Sequence, residues 1–497
     1  MMKLLRYSLF TALVCLLIVS CDDFFNDNID PNKKGEEQVT EAELLTPGIF
    51  YTARAQYNAA FGMCQYSQQL ASYFTPGTDT HEEVQLTGAW TAIYLEALPD
   101  LNTLVQRAQV NGSPSYEGIA KILIATNIAL ATDQWGAVPF SQATIGEEDF
   151  TPSFDAQENI YPVIVNLLDE AITLLNQNDT SGLVVEEDDL IFGGDLSKWI
   201  KTAYALKARY AIHLTEVDQN TAVTEALESI ANSFDSNADD YQLVYNSRNF
   251  NPWNAGVALP NNTGNLSVLL SDQLVSLMDG TSIPFNSVTV DPRLERISSI
   301  NTETEDSFTG AVNGTGGEDA EGNSATADLG EEDFYSSQAA PLIIMSYAEL
   351  KFIEAEALFL QNGGTPTSTG TSAGAYNAYL EGIRANMDKL GVPVGEKEAY
   401  LADTSIAVGA DNLTLALIMR EKFIATFLNA ESFVDLRRYD FDPNVFVGLE
   451  LPENHEIILN GEWVRRAQYP ASEQTRNGVE VELVMENLDV GVWWDRD

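Results

Sequence analysis

The segment from Asn246 to Asn254 places two aromatic rings among amide side chains, a combination typical of sugar-binding loops. Phe250 and Trp253 could stack flat against a sugar ring, while Asn254 could hydrogen-bond its hydroxyl groups. The same pattern also fits a loop whose aromatic ring is pinned into the core. The sequence leaves both interpretations of Trp253 open.

A second loop, at 73–85, offers the same chemistry. It contains Phe74, Asp79 and His81 around a Pro-Gly turn that interrupts the helical pattern. Phe74 and Asp79 therefore join Phe250, Trp253 and Asn254 as the predicted ligand-binding residues.

The sequence gives little support for a catalytic site. The three histidines, His81, His213 and His455, are far apart and have no cysteine or carboxylate at metal-ligand spacing, which argues against a zinc site or a Ser-His-Asp triad. Gly193-Gly194 lacks the Lys-Ser/Thr of a phosphate loop and fits a tight turn before a helix. We expect no catalytic residue, no metal and no cofactor.

Two charged regions have structural explanations. The acidic stretch 303–333 has enough oxygens for a calcium ion but not the spacing of a calcium loop, so a solvated surface loop is favoured and cation binding stays open. A mixed-sign cluster near the C-terminus fits an ion-pair network joining helices better than an arginine patch for a ligand. That cluster consists of Arg420, Glu421, Lys422, Glu431, Asp435, Arg437 and Arg438.

The N-terminus has the pattern of an export signal. Residues 1–20 combine Lys3 and Arg6 with an apolar run that is too short to span a bilayer. The run ends in Ile-Val-Ser before Cys21, which resembles a bacterial lipobox and predicts that this cysteine carries a lipid anchor. Ordinary cleavage or an uncleaved N-terminus is the alternative. Residues 21–40 then form an acidic tether.

Composition agrees with an exported protein. The 497 residues include 74 acidic and 26 basic side chains, and the net charge of −48 excludes nucleic acid as a partner. Of three cysteines, Cys15 leaves with the signal and Cys21 is the predicted anchor, so Cys64 has no partner for a disulfide. The fold must be held by its hydrophobic core.

Helical periodicity dominates from residue 41 onward, and 41–497 is predicted to form a single, mainly α-helical domain. The patterns at 347–360 and 375–390 suggest a tetratricopeptide-like helix hairpin. The helix around Trp199 is apolar on two sides, which places it inside a stack. A helix is also predicted at 266–278, and short strands at 456–459 and 479–484.

Several motifs follow one another along the chain: the lipobox, GAWTAIYLEALPDLN (88–102), DQWGAVPFS (133–141), IYPVIVNLLDEAITLL (160–175), DLIFGGDLSKWIKTAYALKARYAIHL (189–214), DPRL (291–294), PLIIMSYAELKFIEAEAL (341–358) and IMREKFIATFLNAESFVDLRRYD (418–440). In this order, they resemble the SusD/RagB family of nutrient-binding outer-membrane lipoproteins. The resemblance implies a tetratricopeptide-like superhelix with an irregular, loop-rich segment and a few short β-strands packed on it.

The same resemblance implies a function. Such a protein captures oligosaccharide, or a peptide, at the cell surface and delivers it to a SusC-like TonB-dependent transporter in the outer membrane. The motifs belong mainly to the scaffold, so they identify the fold better than the ligand. A surface glycoside hydrolase and a structural or adhesive surface protein stay open as alternatives.

Overall fold

The computed structural model describes residues 38–143, 150–300 and 307–495. The predicted signal peptide, the lipidation site Cys21 and nearly all of the tether lie outside these ranges. Helix α1 (Glu41–Tyr66) begins at the predicted end of the tether, where Thr40 and Glu43 cap it with reciprocal hydrogen bonds. In the described ranges, no helix combines the length and the hydropathy that crossing a bilayer requires.

Helices form most of the described chain, as the sequence predicts. Before residue 300, the described chain contains α1, α2 (Thr87–Thr91), a π-helical turn (Ala92–Ala97), α3 (Leu98–Asn111), α4 (Pro114–Trp135), α5 (Gln157–Leu175), α6 (Leu196–Ile212), α7 (Thr215–Ile230), α8 (Leu259–Asn262), α9 (Asp272–Met278) and α10 (Leu294–Ile297). After residue 307, it contains α11 (Tyr347–Gln361), α12 (Ala373–Lys389), α13 (Val394–Ala402), α14 (Leu415–Ala425), α15 (Glu431–Arg438), α16 (Ala471–Arg476) and α17 (Gly478–Glu482).

Consecutive helices pack as pairs, most extensively α4 with α5, α6 with α7 and α11 with α12. Glycines allow the closest approaches. A Cβ atom on Gly382 would lie 2.7 Å from the Phe352 ring, and one on Gly118 would lie 2.7 Å from Leu175. The tetratricopeptide-like helix pairing predicted from the small residues is confirmed.

Helix α6 lies inside this stack. Trp199 is fully buried, with its ring centroid 5.2 Å from that of Phe192 and 5.7 Å from that of Tyr241. Its indole Nε1 donates a hydrogen bond of 2.8 Å to Asp189. The turn before α6 contains Gly194 at a φ of 87°, as the Gly-Gly pattern predicts.

Four short strands form two antiparallel pairs. Strand β1 (Leu70–Ser72) pairs with β3 (Val268–Leu270), and β2 (Tyr241–Val244) pairs with β4 (Pro341–Met345). The sequence had placed β3 inside a helix at 266–278. The structure begins the helix only at Asp272, because the Ser271 hydroxyl accepts a hydrogen bond from the Gln273 amide and caps α9 there.

The predicted strands at 456–459 and 479–484 are wrong. The first is a 3-10 turn (Ile457–Leu459), in which the Glu456 side chain accepts a hydrogen bond from the Ile458 amide. The second falls mainly on α17, whose Val481 is buried while Val479 is exposed. The β-branched residues favour strands, but in the first segment the Glu456 side chain fixes a turn instead.

The mixed-sign cluster is a buried ion-pair network, as predicted. Arg438 lies 2.8 Å from Glu356 and 2.6 Å from Asp435, and Lys422 lies 2.8 Å from Asp435. Arg420 pairs with Glu421 at 2.8 Å. The network joins α11, α14 and α15.

Arg437 is an exception within the cluster. Its guanidinium lies over the rings of Phe433 and Trp494, at 4.3 and 4.7 Å from their centroids. It also donates to the backbone carbonyl oxygen of Asp133 at 2.8 Å. This arginine connects α15 to the end of α4 through the hydrogen bond to Asp133, and to the C-terminal segment through its cation–π contact with Trp494.

We expect Trp199→Ala to lower the free energy of unfolding by about 3–5 kcal/mol, because it empties a fully buried indole site. Trp199→Phe keeps an aromatic ring and should lose less. Urea unfolding followed by circular dichroism measures both. An unchanged midpoint for Trp199→Ala would contradict the burial of α6 within the stack.

Candidate functional site

Trp253 lies in the core. It is 2% exposed, and its ring centroid is 4.9 Å from that of Tyr57 and 6.2 Å from that of Phe61. The side chain of Asn251 accepts a hydrogen bond of 2.7 Å from the Trp253 backbone amide and starts a helical turn at this point. The segment predicted as a loop is thus partly helical, and its indole points inward. The core interpretation of Trp253 replaces the ligand-stacking one.

Asn254 and Phe250, the other two residues predicted to bind ligand in this segment, differ in solvent exposure. Asn254 is fully buried, and its Nδ2 donates to the carbonyl oxygen of Ser336 at 2.8 Å. Phe250 is 38% exposed. Burial of Asn254 removes it from any surface site, whereas Phe250 keeps part of its ring in solvent.

Phe74 has the exposure that a stacking residue needs. Its side chain is 68% exposed, and its ring meets that of Tyr73 edge to face at a centroid distance of 5.0 Å. Tyr73 continues β1, and its amide donates to the carbonyl oxygen of Ser267 at 2.9 Å. Gly317 lies against the Tyr73 ring, since a Cβ there would be 2.8 Å away. A rigid support therefore holds the Phe74 ring in solvent.

Asp79 is buried beneath the same loop, where it positions the backbone. Its carboxylate accepts a hydrogen bond of 2.8 Å from the Gly314 amide. Burial raises the pKa of Asp79, and the hydrogen bond from Gly314 opposes that rise. The Gly314 carbonyl oxygen accepts hydrogen bonds from the side chains of Thr75 at 3.1 Å and Asn454 at 3.0 Å.

Gly314 is the residue where these three segments meet. It has a φ of 87°, and a Cβ there would lie 1.7 Å from the carbonyl oxygen of Glu453. Only glycine fits this conformation at this distance. The structure thus brings Phe74 and Asp79 into one site, with Phe74 at the surface and Asp79 holding the loop from below.

An open groove of ≈ 740 Å³ lies beside the β1–β3 sheet. Leu266, Leu269 and Ala325 line it, and all three belong to or pack against the small apolar cluster that also supports the Tyr73 ring. The groove's polar lining residues are Asn261, Asn262, Ser299, Thr326, Asp328, Glu331 and Glu332. We call this site the sheet-edge groove, and Phe74 is connected to it through Tyr73, whose ring packs against the same apolar cluster.

Two of the three carboxylates that line the groove accept hydrogen bonds from asparagine side chains. Asp328 accepts a hydrogen bond from the side-chain amide of Asn261, and Glu331 accepts one from Asn262. Among the described residues that line the groove, none is a lysine or an arginine. The groove consequently offers amide and carboxylate groups above an apolar floor.

The acidic stretch, described from residue 307, covers one side of this groove and is less solvated than predicted. Ala311 donates its amide to the Leu270 carbonyl oxygen at 2.9 Å, and Leu270 donates to Ala327 at 3.1 Å. Asp333 is buried and accepts hydrogen bonds from Ser299 and Gly330. Among the described residues, no group of three or more histidine, cysteine or acidic side chains is arranged for a metal.

Sequence reasoning missed the groove because its walls come from segments distant in the chain. Asn261 and Asn262 are the last two residues of α8, whereas Ser299 and Asp328 come from the irregular region between α10 and β4. The only local signal was the polar run Asn261-Asn262-Thr263-Gly264-Asn265, which resembles an ordinary turn.

The architecture defines the class of this protein: a tetratricopeptide-like helical scaffold carrying an irregular, loop-built segment. A sequence profile of the SusD-like family, described as "Starch-binding associating with outer membrane", matches residues 32–470. The chain belongs to this family. No curated protein matches it in sequence.

Solved structures share the fold. A chitin-binding protein superposes with a TM-score of 0.75 at 21% identity, over 92% of this chain and 100% of its own. A SusD/RagB family protein from Bacteroides thetaiotaomicron gives 0.73 at 23% identity, over 92% and 99%. A chitin-binding SusD homologue from Flavobacterium johnsoniae gives 0.71 at 19% identity, over 91% and 99%.

We predict that Trp253→Ala lowers the free energy of unfolding by about 3–5 kcal/mol, because it leaves a cavity beside Tyr57 and Phe61. Phe250→Ala, at a half-exposed neighbouring position, serves as the matched control and should change stability little. Thermal and urea unfolding of both variants measure the difference. If the Trp253→Ala protein had normal stability, Trp253 would again be a candidate ligand contact.

Proposed function

We propose that the protein is a cell-surface binding protein that captures oligosaccharide at the sheet-edge groove and delivers it to a TonB-dependent outer-membrane transporter. The observation that carries this proposal is the exposed Phe74 ring, which packs on Tyr73, whose own ring packs against the apolar cluster that lines the groove. Membership of a family described as starch-binding and outer-membrane-associated agrees with it. So does the fold shared with two chitin-binding proteins.

The chemistry of the groove suits a carbohydrate. A sugar ring buries apolar C–H surface when it stacks on an aromatic face, and amide and carboxylate groups accept and donate hydrogen bonds to its hydroxyls. Asn262, Thr326 and Glu332 supply such groups along the groove. Because no cation lines it, a neutral or amine-bearing glycan fits better than an anionic one.

Binding without turnover is part of the proposal. Asp328 and Glu331, two acidic residues of the groove, already accept hydrogen bonds from asparagines, which suits a fixed binding wall. Release of reducing sugar from oligosaccharides by the purified protein would replace this proposal with a surface glycoside hydrolase. Failure to bind any member of a glycan array or a peptide mixture would favour a structural or adhesive role.

Phe74→Ala should weaken glycan binding by about 2 kcal/mol or more, roughly thirtyfold, since it removes the exposed stacking surface. Calorimetric titration against the best glycan from an array screen measures the change. Phe74→Trp retains a stacking face and should retain most of the affinity.

Phe150→Ala is the matched control, because Phe150 is 80% exposed on a different loop. It should leave affinity unchanged. Equal affinities for Phe74→Ala and the wild type would place the ligand elsewhere, and a fall in melting temperature for Phe74→Ala would show a structural role for this ring.

The membrane attachment is proposed to depend on Cys21. Cys21→Ala should release the protein from the membrane fraction without changing its melting temperature, because acyl chains contribute roughly 0.8 kcal/mol per buried methylene. Fractionation of cells that lack the transporter separates anchoring by lipid from anchoring by a protein. Retention of the variant in that membrane fraction would refute a lipid anchor at this cysteine.

A further inference from the structure

A second surface feature lies apart from the residues that line the sheet-edge groove. The 3-10 turn Ile457–Leu459 exposes two adjacent aliphatic side chains, with Ile457 87% and Ile458 75% in solvent. Exposed apolar side chains next to each other on a fixed turn are typical of contact surfaces. We call this feature the isoleucine turn.

The turn is held in place at both ends. The Glu456 amide donates a hydrogen bond of 2.9 Å to the carbonyl oxygen of Thr80. Asn454 and Asn460 flank the turn, each with a φ of 52°, in the left-handed conformation that asparagine tolerates better than most residues. The two isoleucines are therefore held on a defined turn.

Aromatic rings lie close to the turn and add rigidity. The centroid of the buried His81 ring is 5.3 Å from that of His455 and 5.4 Å from that of Trp463. Trp463 in turn stacks on Phe441, with centroids 4.6 Å apart and planes at 3°. This packing preorganises the surface, which lowers the entropic cost of binding a partner.

Beside the turn is a groove of ≈ 440 Å³ whose charged lining groups are all acidic. Glu83, Glu456 and Asp489 supply carboxylates, while Ile458 and Leu488 supply aliphatic surface. In the part of the chain that the structure describes, no lysine, arginine or aromatic residue lines this groove. The groove lacks the flat ring faces that would bind a sugar, and its charge disfavours an anionic lipid surface.

We propose that the isoleucine turn and its acidic groove form a docking surface for a second protein, which inserts a lysine or arginine flanked by aliphatic side chains. The basic group would pair with Glu83 and Asp489, and the aliphatic groups would cover Ile457 and Ile458. A second copy of this chain is a poor occupant, because a symmetric contact would bring the same carboxylates face to face.

This inference rests on the part of the proposed function in which the chain works with a second protein, and it is independent of glycan binding. Glycan binding and protein docking can therefore be measured separately. Loss of glycan binding by Phe74→Ala tests the sheet-edge groove, whereas the isoleucine turn is tested by crosslinking in cells.

The experiment replaces Ile457 in the full chain with the photo-crosslinking residue p-benzoylphenylalanine in the bacterium that produces the protein. Val110, also 87% exposed but on α3, is the matched control position. We expect one protein partner at position 457 and none at position 110. Mass spectrometry of the linked peptide should show a lysine or arginine beside aliphatic residues.

Charge reversal supplies the second arm. Glu83→Lys combined with Asp489→Lys should lower the crosslinking yield at position 457 at least tenfold, with unchanged glycan affinity and melting temperature. A linked lipid, a linked second copy of this chain, an acidic linked peptide or equal yields at positions 457 and 110 would each overturn the proposal. So would a yield that survives the charge reversal in a folded protein.

Discussion

The structure depends on charges that are buried and paired between helices. Arg209 of α6 lies 2.6 Å from Glu349 of α11, and Arg438 of α15 lies 2.8 Å from Glu356, which is also in α11. Burial alone would raise the pKa of Glu356, but Arg438 and Lys422 hold it below its ordinary value. Breaking one such pair typically costs about 3–5 kcal/mol, because the remaining charge stays buried without its partner. These pairs fix how α6, α11, α14 and α15 sit against one another.

Hydrogen bonds connect the candidate site to that core and make it rigid. Between α1 and β1, the side chain of Gln69 donates to the Phe423 carbonyl oxygen at 2.8 Å and accepts from the Leu428 amide at 3.0 Å. Ser67 and Ser432 hydroxyls meet at 2.9 Å. The strand that presents Tyr73 and Phe74 is thus tied directly to the α14–α15 region. A loop aromatic attached in this way can stack on a ligand without first losing conformational freedom.

How far the sequence predicts this arrangement depends on the range of the interactions involved. Helix pairing and the burial of Trp199 follow from periodicity, which is a local property. The placement of Trp253 does not, because its environment is set by Tyr57 and Phe61, nearly two hundred positions earlier. A loop rich in asparagine looks the same whether its indole faces solvent or the core.

The missed groove and the wrongly predicted strands have related causes. Asn261 and Asp328 meet only because the irregular segment folds back over β3, and no spacing along the chain records that contact. At 456–459, β-branched residues favoured a strand, whereas one capping carboxylate from Glu456 and the left-handed Asn460 fixed a tight turn. Short irregular elements are determined by single side chains, so average propensities describe them poorly.

The placement of the cations has a consequence for what the surface can bind. The chain has only 26 lysines and arginines against 74 acidic residues, and several of the cations, including Arg209, Arg293, Lys422 and Arg438, are buried in ion pairs. Carboxylates at the surface are left with few partners of opposite charge. Both grooves described above are lined by acidic and not by basic residues.

This distribution of charge has different consequences for the sheet-edge groove and for the isoleucine turn. In the proposed function, a neutral glycan gains nothing from the negative field and would bind by stacking and hydrogen bonds, for which the exposed Phe74 ring supplies a face. A basic protein surface is attracted by that field over a distance that salt shortens, so association at the isoleucine turn would be faster at low ionic strength. Burying cations in interhelical ion pairs thus stabilises the core and also leaves the lining of both grooves acidic.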